Sequence, residues 1–137
     1  TLSEAVEEMA ELRRWDGARA EFNDVEAAPA PSVGPGQAVL ASWKQMVDAG
    51  ALLSHEPHLA KTARKPIAAM SAKTAEDAGI TGAVTVSGPL GAITLDVVTL
   101  NMPDGVVWVP QNSFGCQIHT IGSRAGDVVG ISTEVTQ

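Results

Sequence analysis

KPIAAMSAKTAEDAGITGAVTVSGPLGAITLDVVTLNMPDGVVWVP, residues 65–110, reads as one short capped helix followed by three turn-separated strands. Ser71 is a suitable N-cap, because its hydroxyl can accept from the free N–H groups of a first helical turn. Met70 and Ala75 flank that cap at the staple positions. Gly79 stands just past the helix, where a left-handed residue is cheap only for glycine. Val84 and Val86 then alternate with Thr85 and Ser87, and Gly88-Pro89-Leu90-Gly91 turns the chain. Ile93, Leu95 and Val97 share one face, with Thr94 and Asp96 on the other. Val98 and Leu100 break the alternation, which predicts a bulge or a shift in burial. Asn101-Met102-Pro103-Asp104-Gly105 is a second turn, and Val106–Val109 is a buried run ended by Pro110.

Working outward, residues 1–15 predict an amphipathic helix. Thr1 and Glu4 form a capping box. Leu2, Val6, Met9 and Leu12 make an apolar stripe that must pack on something. Glu4, Glu7, Glu8 and Glu11 suit the positive end of the helix dipole, and Arg13 and Arg14 the negative end. Residues 26–37 are a Pro/Ala/Gly linker. The expected organisation is therefore a helical arm and upstream tail over 1–25, a linker over 26–37, and a β domain over 38–137. Ala38–Ala41 read as a first strand. Ser42 and Gln45 then fit a second capping box, with Gly50 as helix stop. Residues 51–66 form a long connection carrying His55, His58, Lys61, Arg64 and Lys65. Gln111–Gly115 read as a polar loop, Cys116–Ile121 as strand-like, Val128–Ile131 as a last strand, and the tail from Ser132 as frayed. About six short strands with small helices suggest a mainly β architecture, a compact barrel. No internal repeat is visible.

Composition narrows the function classes. The chain has 137 residues, enough for one domain plus accessories. A domain of this size buries roughly two-thirds of its unfolded surface and needs no staples. Apolar residues make up 45% but aromatics only 4%, so the core is built of Ala, Val, Leu and Ile. The net charge of −7 leaves no basic face for nucleic acid. No apolar run reaches the ~18–20 residues of a membrane span. The single cysteine, Cys116, cannot by itself make a disulfide framework, a zinc site or an iron–sulphur cluster. It fits a cytosolic location. A chain opening on Thr1 rather than Met is expected of a piece of a longer protein.

Catalytic candidates are weak, and no catalytic residue or metal site is expected. His55-Glu56-Pro57-His58 has suitable ligand types, but not the H-E-x-x-H spacing. Pro57 also disfavours a helix there, so a solvated loop is the expectation. Cys116 and His119 would point to opposite faces of a strand and would not meet. Gly122-Ser123 resembles a self-cleaving pair, with nothing else to support it. Lys61, Arg64 and Lys65, with Lys44 and Lys73, are the local basic concentration; they could hold a phosphate or pyrophosphate, pair with a neighbouring subunit's acids, or simply be solvated. Asn112 and Ser113, on a loop at a barrel mouth, could contact a ligand or simply form a turn.

Some longer blocks carry a family resemblance. They are Ala63–Pro66, Met70–Ile80, Val84–Val86, Gly91–Leu95 and Met102–Pro110. In this order they resemble the molybdopterin-dinucleotide-binding domain. That resemblance implies a double-psi β-barrel of the aspartate-decarboxylase-like type. With Val39–Trp43, Glu56–Arg64 and Val107–Ser113, nearly the whole chain resembles the C-terminus of one subunit family. This is the large iron–sulphur (G) subunit of bacterial NADH–quinone oxidoreductase, respiratory complex I, in its actinobacterial form. The resemblance implies a structural domain whose iron–sulphur clusters lie in upstream sequence. Its partners would be the other subunits of the peripheral arm. Its location would be cytoplasmic, at the inner face of the cell membrane and without a span of its own. The alternatives are a working molybdopterin-guanine-dinucleotide-binding domain of a molybdenum or tungsten oxidoreductase, and a protein-binding double-psi module. If a pterin is bound, Arg64, Lys65, Asn112 and Ser113 are its candidate contacts. The short Thr81-Gly82-Ala83 segment, and Ser42–Gln45 in place of a pterin loop, depart from the cofactor-binding pattern.

Overall fold

The structure is a computed structural model that describes residues 1–12, 17–19, 21, 25–53 and 55–133. Strands β1 (Gln37–Trp43), β2 (Ile67–Met70), β3 (Ala83–Gly88), β4 (Gly91–Thr99), β5 (Val106–Pro110) and β8 (Val128–Thr133) close into a barrel. The ring order is β1-β5-β2-β4-β3-β8. The pairs β1·β5 and β2·β4 are parallel, and the other pairs are antiparallel. Thus β1 and β2 straddle β5, while β4 and β5 straddle β2. This interlocking is that of a double-psi β-barrel, and the molecule is mainly β with short helices, as expected. Exchanging β1, β2 and β3 for β4, β5 and β8 maps the ring onto itself. The strand order therefore has a two-fold repeat that the sequence does not display.

The interior is filled from alternate strand positions. Leu40, Met70, Val84, Val86, Val107, Val109 and Val129 are buried, with Cys116 and Ile121 closing the end. Ile93 and Val97 pack against this core and Leu95 lies within it, as alternation required. Val98 and Leu100 turn outward, at 39% and 54% exposure. The register of β4 runs without a bulge through this region, so their break in the pattern is a shift in burial.

Helix α3 (Ala72–Asp77) forms as its ends dictate. Ser71 Oγ accepts from Thr74 N at 3.1 Å. At the far end Gly79, at φ +66°, sends its N–H to Glu76 O, and Ile80 N–H reaches Ala75 O. That double closure is a Schellman cap. Ile80 and Ala75 are both in the core. Ser71 Oγ also donates to Asp104 Oδ1 at 2.5 Å, and Gly105 N–H donates to Thr74 Oγ1 at 2.9 Å. These bonds latch the start of α3 to the β4–β5 turn.

Four local expectations are corrected, and one strand was not foreseen. The helix expected from Ser42 to Gly50 does not form. Ser42 and Trp43 continue the strand, paired with Val109 and Pro110, and Ser42 Oγ donates to Val109 O at 2.9 Å. The supposed cap is spent on the barrel, where a whole ladder outweighs an isolated helical nucleus. Pro57 does not prevent a helix, because it is the first residue of α2 (Pro57–Ala60), where no intrahelical N–H is needed. Ile67–Met70 forms β2 although its Ala-rich run lacks alternation; Ala68, Ala69 and Met70 are buried and Ile67 is half-buried. Cys116–Ile121 is not one strand. Asn112–Ser113 (β6) and Cys116–Gln117 (β7) form a small hairpin, followed by a 3₁₀ turn over Ile118–Ile121. Ser132 and Thr133 are not frayed but complete β8 opposite Thr85 and Val84.

At the N-terminus α1 spans Leu2–Glu11. The capping box is present, with Thr1 Oγ1 accepting from Glu4 N and the Glu4 carboxylate bonded to the Thr1 amine. The predicted roles of Arg13 and Arg14, and the helix to residue 15, lie outside the described residues. So do residues 134–137 of the predicted tail.

Candidate functional site

The parallel alignment of β1 with β5 brings Trp43 beside Pro110, and the antiparallel pairing of β2 sets Ala69 opposite Trp108. The segments entering and leaving these strands therefore meet at one end of the barrel. Lys44, Gln45, Met46, Val47, Thr62, Arg64 and Trp108 line an open hollow of about 480 Å³ there. Two cations beside an indole suit an anionic or acidic partner. On the other side of Lys44 lies a smaller polar hollow, lined by Asp48, Gly50, Gln111, Asn112, Ile118 and His119 as well as by Lys44.

The four ligand-contact candidates do not converge. Arg64 is exposed and lines the first hollow. Lys65 Nζ lies 2.5 Å from Asp96 Oδ2 in an exposed ion pair. Asn112 lines the second hollow, its Oδ1 accepting from Gln117 Nε2 at 3.0 Å. Ser113 is 1% exposed and donates from Oγ to Gln45 Oε1 at 3.1 Å. A pterin dinucleotide would have to displace those internal partners. No buried side-chain polar atom among the described residues lacks a hydrogen bond. On this geometry the four residues do not make a pterin cradle, and no chemistry is derived through one. Elsewhere in the basic set, Lys73 Nζ bonds Asp77 Oδ2 at 2.6 Å along α3, which raises the Lys73 pKa.

The histidine segment is built for helix capping. Glu56 Oε1 accepts from His58 N and Leu59 N, so its carboxylate caps α2, and His55 and His58 are exposed. Among the described residues, no group of three His, Cys, Asp or Glu could hold a metal ion. Cys116 is fully buried and donates from Sγ to Pro110 O at 3.3 Å. Burial pushes its thiol up to about 11, the opposite of what a nucleophile requires. His119 sits in the following 3₁₀ turn and is exposed. Gly122 closes that turn in a left-handed conformation and Ser123 is buried beside Gly88, so this pair is used in packing. No helix among the described residues is long and apolar enough to cross a membrane.

The sequence reading missed Trp108 as a surface residue, because it sits in what reads as a buried run. The signal available was its alternation with Val107 and Val109, which points the indole out of the barrel.

Comparison with known proteins adds a specific likeness. The chain is 42% identical over 130 residues to the G subunit of the NADH-quinone oxidoreductase of Mycobacterium bovis, a match covering 90% of this chain and 16% of that protein. It is 39% identical over 125 residues to the corresponding G subunit of Streptomyces coelicolor, covering 90% of this chain and 14% of that one. The chain thus spans about one-sixth of the length of these curated relatives. No protein-family profile matches it. Among solved structures, a rationally designed protein, mkDPBB_sym_86, overlays with a TM-score of 0.45 and 15% identity, covering 74% of this chain and 96% of that one.

Proposed function

Since this chain resembles a segment of the G subunit of NADH-quinone oxidoreductase, we propose that it is the C-terminal structural and assembly domain of such a subunit. The parent complex transfers electrons from NADH to quinone; this segment bears no redox centre. Its iron–sulphur clusters belong to other parts of the parent chain. Its partners are other subunits of the peripheral arm, at the cytoplasmic face of the membrane. The observation that carries this reading is the 42% identity over 130 residues. Chemistry within the chain supports it: one cysteine cannot ligate a cluster, and Cys116 is committed to the core. The boundaries at residues 26–37 and 38 belong to the same proposal.

Deleting residues 38–137 from the parent subunit is expected to leave a subcomplex in place of the full peripheral arm on native gels. Iron content per assembled parent chain should be unchanged. The denatured parent should release no pterin. Stoichiometric pterin release would overturn the reading in favour of a working pterin-dinucleotide domain.

A further inference from the structure

Among the described residues, two extended apolar surfaces that face solvent can be set side by side. One is the stripe of α1, where Leu2, Val6, Met9 and Leu12 are 84%, 57%, 69% and 77% exposed. A ten-residue helix is marginal in water, and packing of its apolar face is what normally holds it. The other is a groove of about 560 Å³ on the outside of the barrel, lined chiefly by Ala41, Ile67, Leu100, Met102, Val106 and Trp108, with almost no polar lining. The outward turn of Leu100 that broke the strand pattern helps to build it.

We propose that α1 docks in this groove of its own barrel. The charges agree. Glu4, Glu7, Glu8 and Glu11 make α1 acidic. Trp108 lines both the groove and the hollow that bears Lys44 and Arg64, neither of which is in an ion pair among the described residues. About 25 residues lie between α1 and β1, a contour of up to ~80 Å, so chain length does not prevent the contact. Tethering sets a millimolar effective concentration, which favours the helix of the same chain over one from a second copy.

Amide exchange in α1 of the 137-residue chain tests this. Docking predicts at least ~10-fold slower exchange over Leu2–Glu11 than in either of two variants. Leu100→Glu places a charge in the groove at an exposed position, and Val6→Asp alters only the helix. Exchange at unstructured rates in the native chain, or protection unchanged by both variants, overturns the proposal. A second measurement identifies the occupant. With Val6→Cys and Leu100→Cys together, a short bis-maleimide should link the two within one chain, because the native Cys116 is buried. A linked dimer as the main product would overturn docking within one chain in favour of a second copy.

Discussion

In the first half of the barrel the chain passes from β2 to β3 through α3; in the second it passes from β5 to β8 through the β6–β7 hairpin and the 3₁₀ turn. The strands on either side are equivalent by the two-fold symmetry of the ring. Helix α3 is specified within its own ten residues, by Ser71 at one end and Gly79 at the other. The other connection is held from outside. Asn112 O accepts from Ala49 N at 2.7 Å, Cys116 Sγ donates to Pro110 O, and Ile121 O accepts from Leu90 N. Equivalent positions in a symmetric fold can thus be filled by one element that carries its own instructions and one that borrows them.

The largest effect should come where the halves touch. A Cβ on Gly88 would lie 2.3 Å from Ile121 O and 2.4 Å from Ser123 Oγ. Gly88→Ala must therefore push the second connection off the barrel end, with an expected loss of ~3 kcal/mol in a urea melt. Gly130→Ala is the control. There the obstacle is Ser87 Oγ, a side chain that can rotate away, so a clearly smaller loss is expected. Equal losses would mean that the difference between a backbone obstacle and a side chain that can rotate does not govern the cost.

Next is the self-coded half. Ser71→Ala removes the cap on Thr74 N and the bond to Asp104 together. A loss of ~1–2 kcal/mol is expected, read from the shift in denaturation midpoint. A change within ~0.3 kcal/mol would show that packing rather than the cap holds α3.

The gentlest effect belongs to Cys116, in the borrowed connection. Its folded pKa is raised by burial from 9.0 to about 11. The unfolded chain therefore gives up this proton first. The stability that the group contributes is complete below pH 9.0 and is lost as pH rises toward about 11. Cys116→Ala should flatten this alkaline decline relative to the native chain in melts at stepped pH. Identical slopes would show that the thiol is not held protonated by the fold.

The same contrast explains what could be read in advance. Ser71, Gly79, the valines of β3 and the Gly88–Gly91 turn were legible because their signals act within a few residues. Ser42 and Gln45 misled because a capping box is equally local, yet both side chains are taken by distant partners, Val109 and Ser113. Of the site, the basic residues were visible in the sequence. Their division was not, because Lys65 and Lys73 are claimed by Asp96 and Asp77 while Lys44 and Arg64 meet at Trp108.

The sequence by itself determined the ends of α3, the turns, the inward faces of β3 and β4, and the absence of a cysteine set able to bind a cluster. These follow from spacing and side-chain chemistry over one or two turns of chain. Tertiary structure alone decided that Ile67–Met70 is a barrel strand, that Ser42–Trp43 extends a ladder, and that residues 111–121 fold as a hairpin and a 3₁₀ turn. For the two strand segments the pairing partners lie far off in the chain, and the hairpin, though paired locally, is anchored by Ala49 and Gln45. Closing the barrel satisfies more backbone groups than any local alternative could.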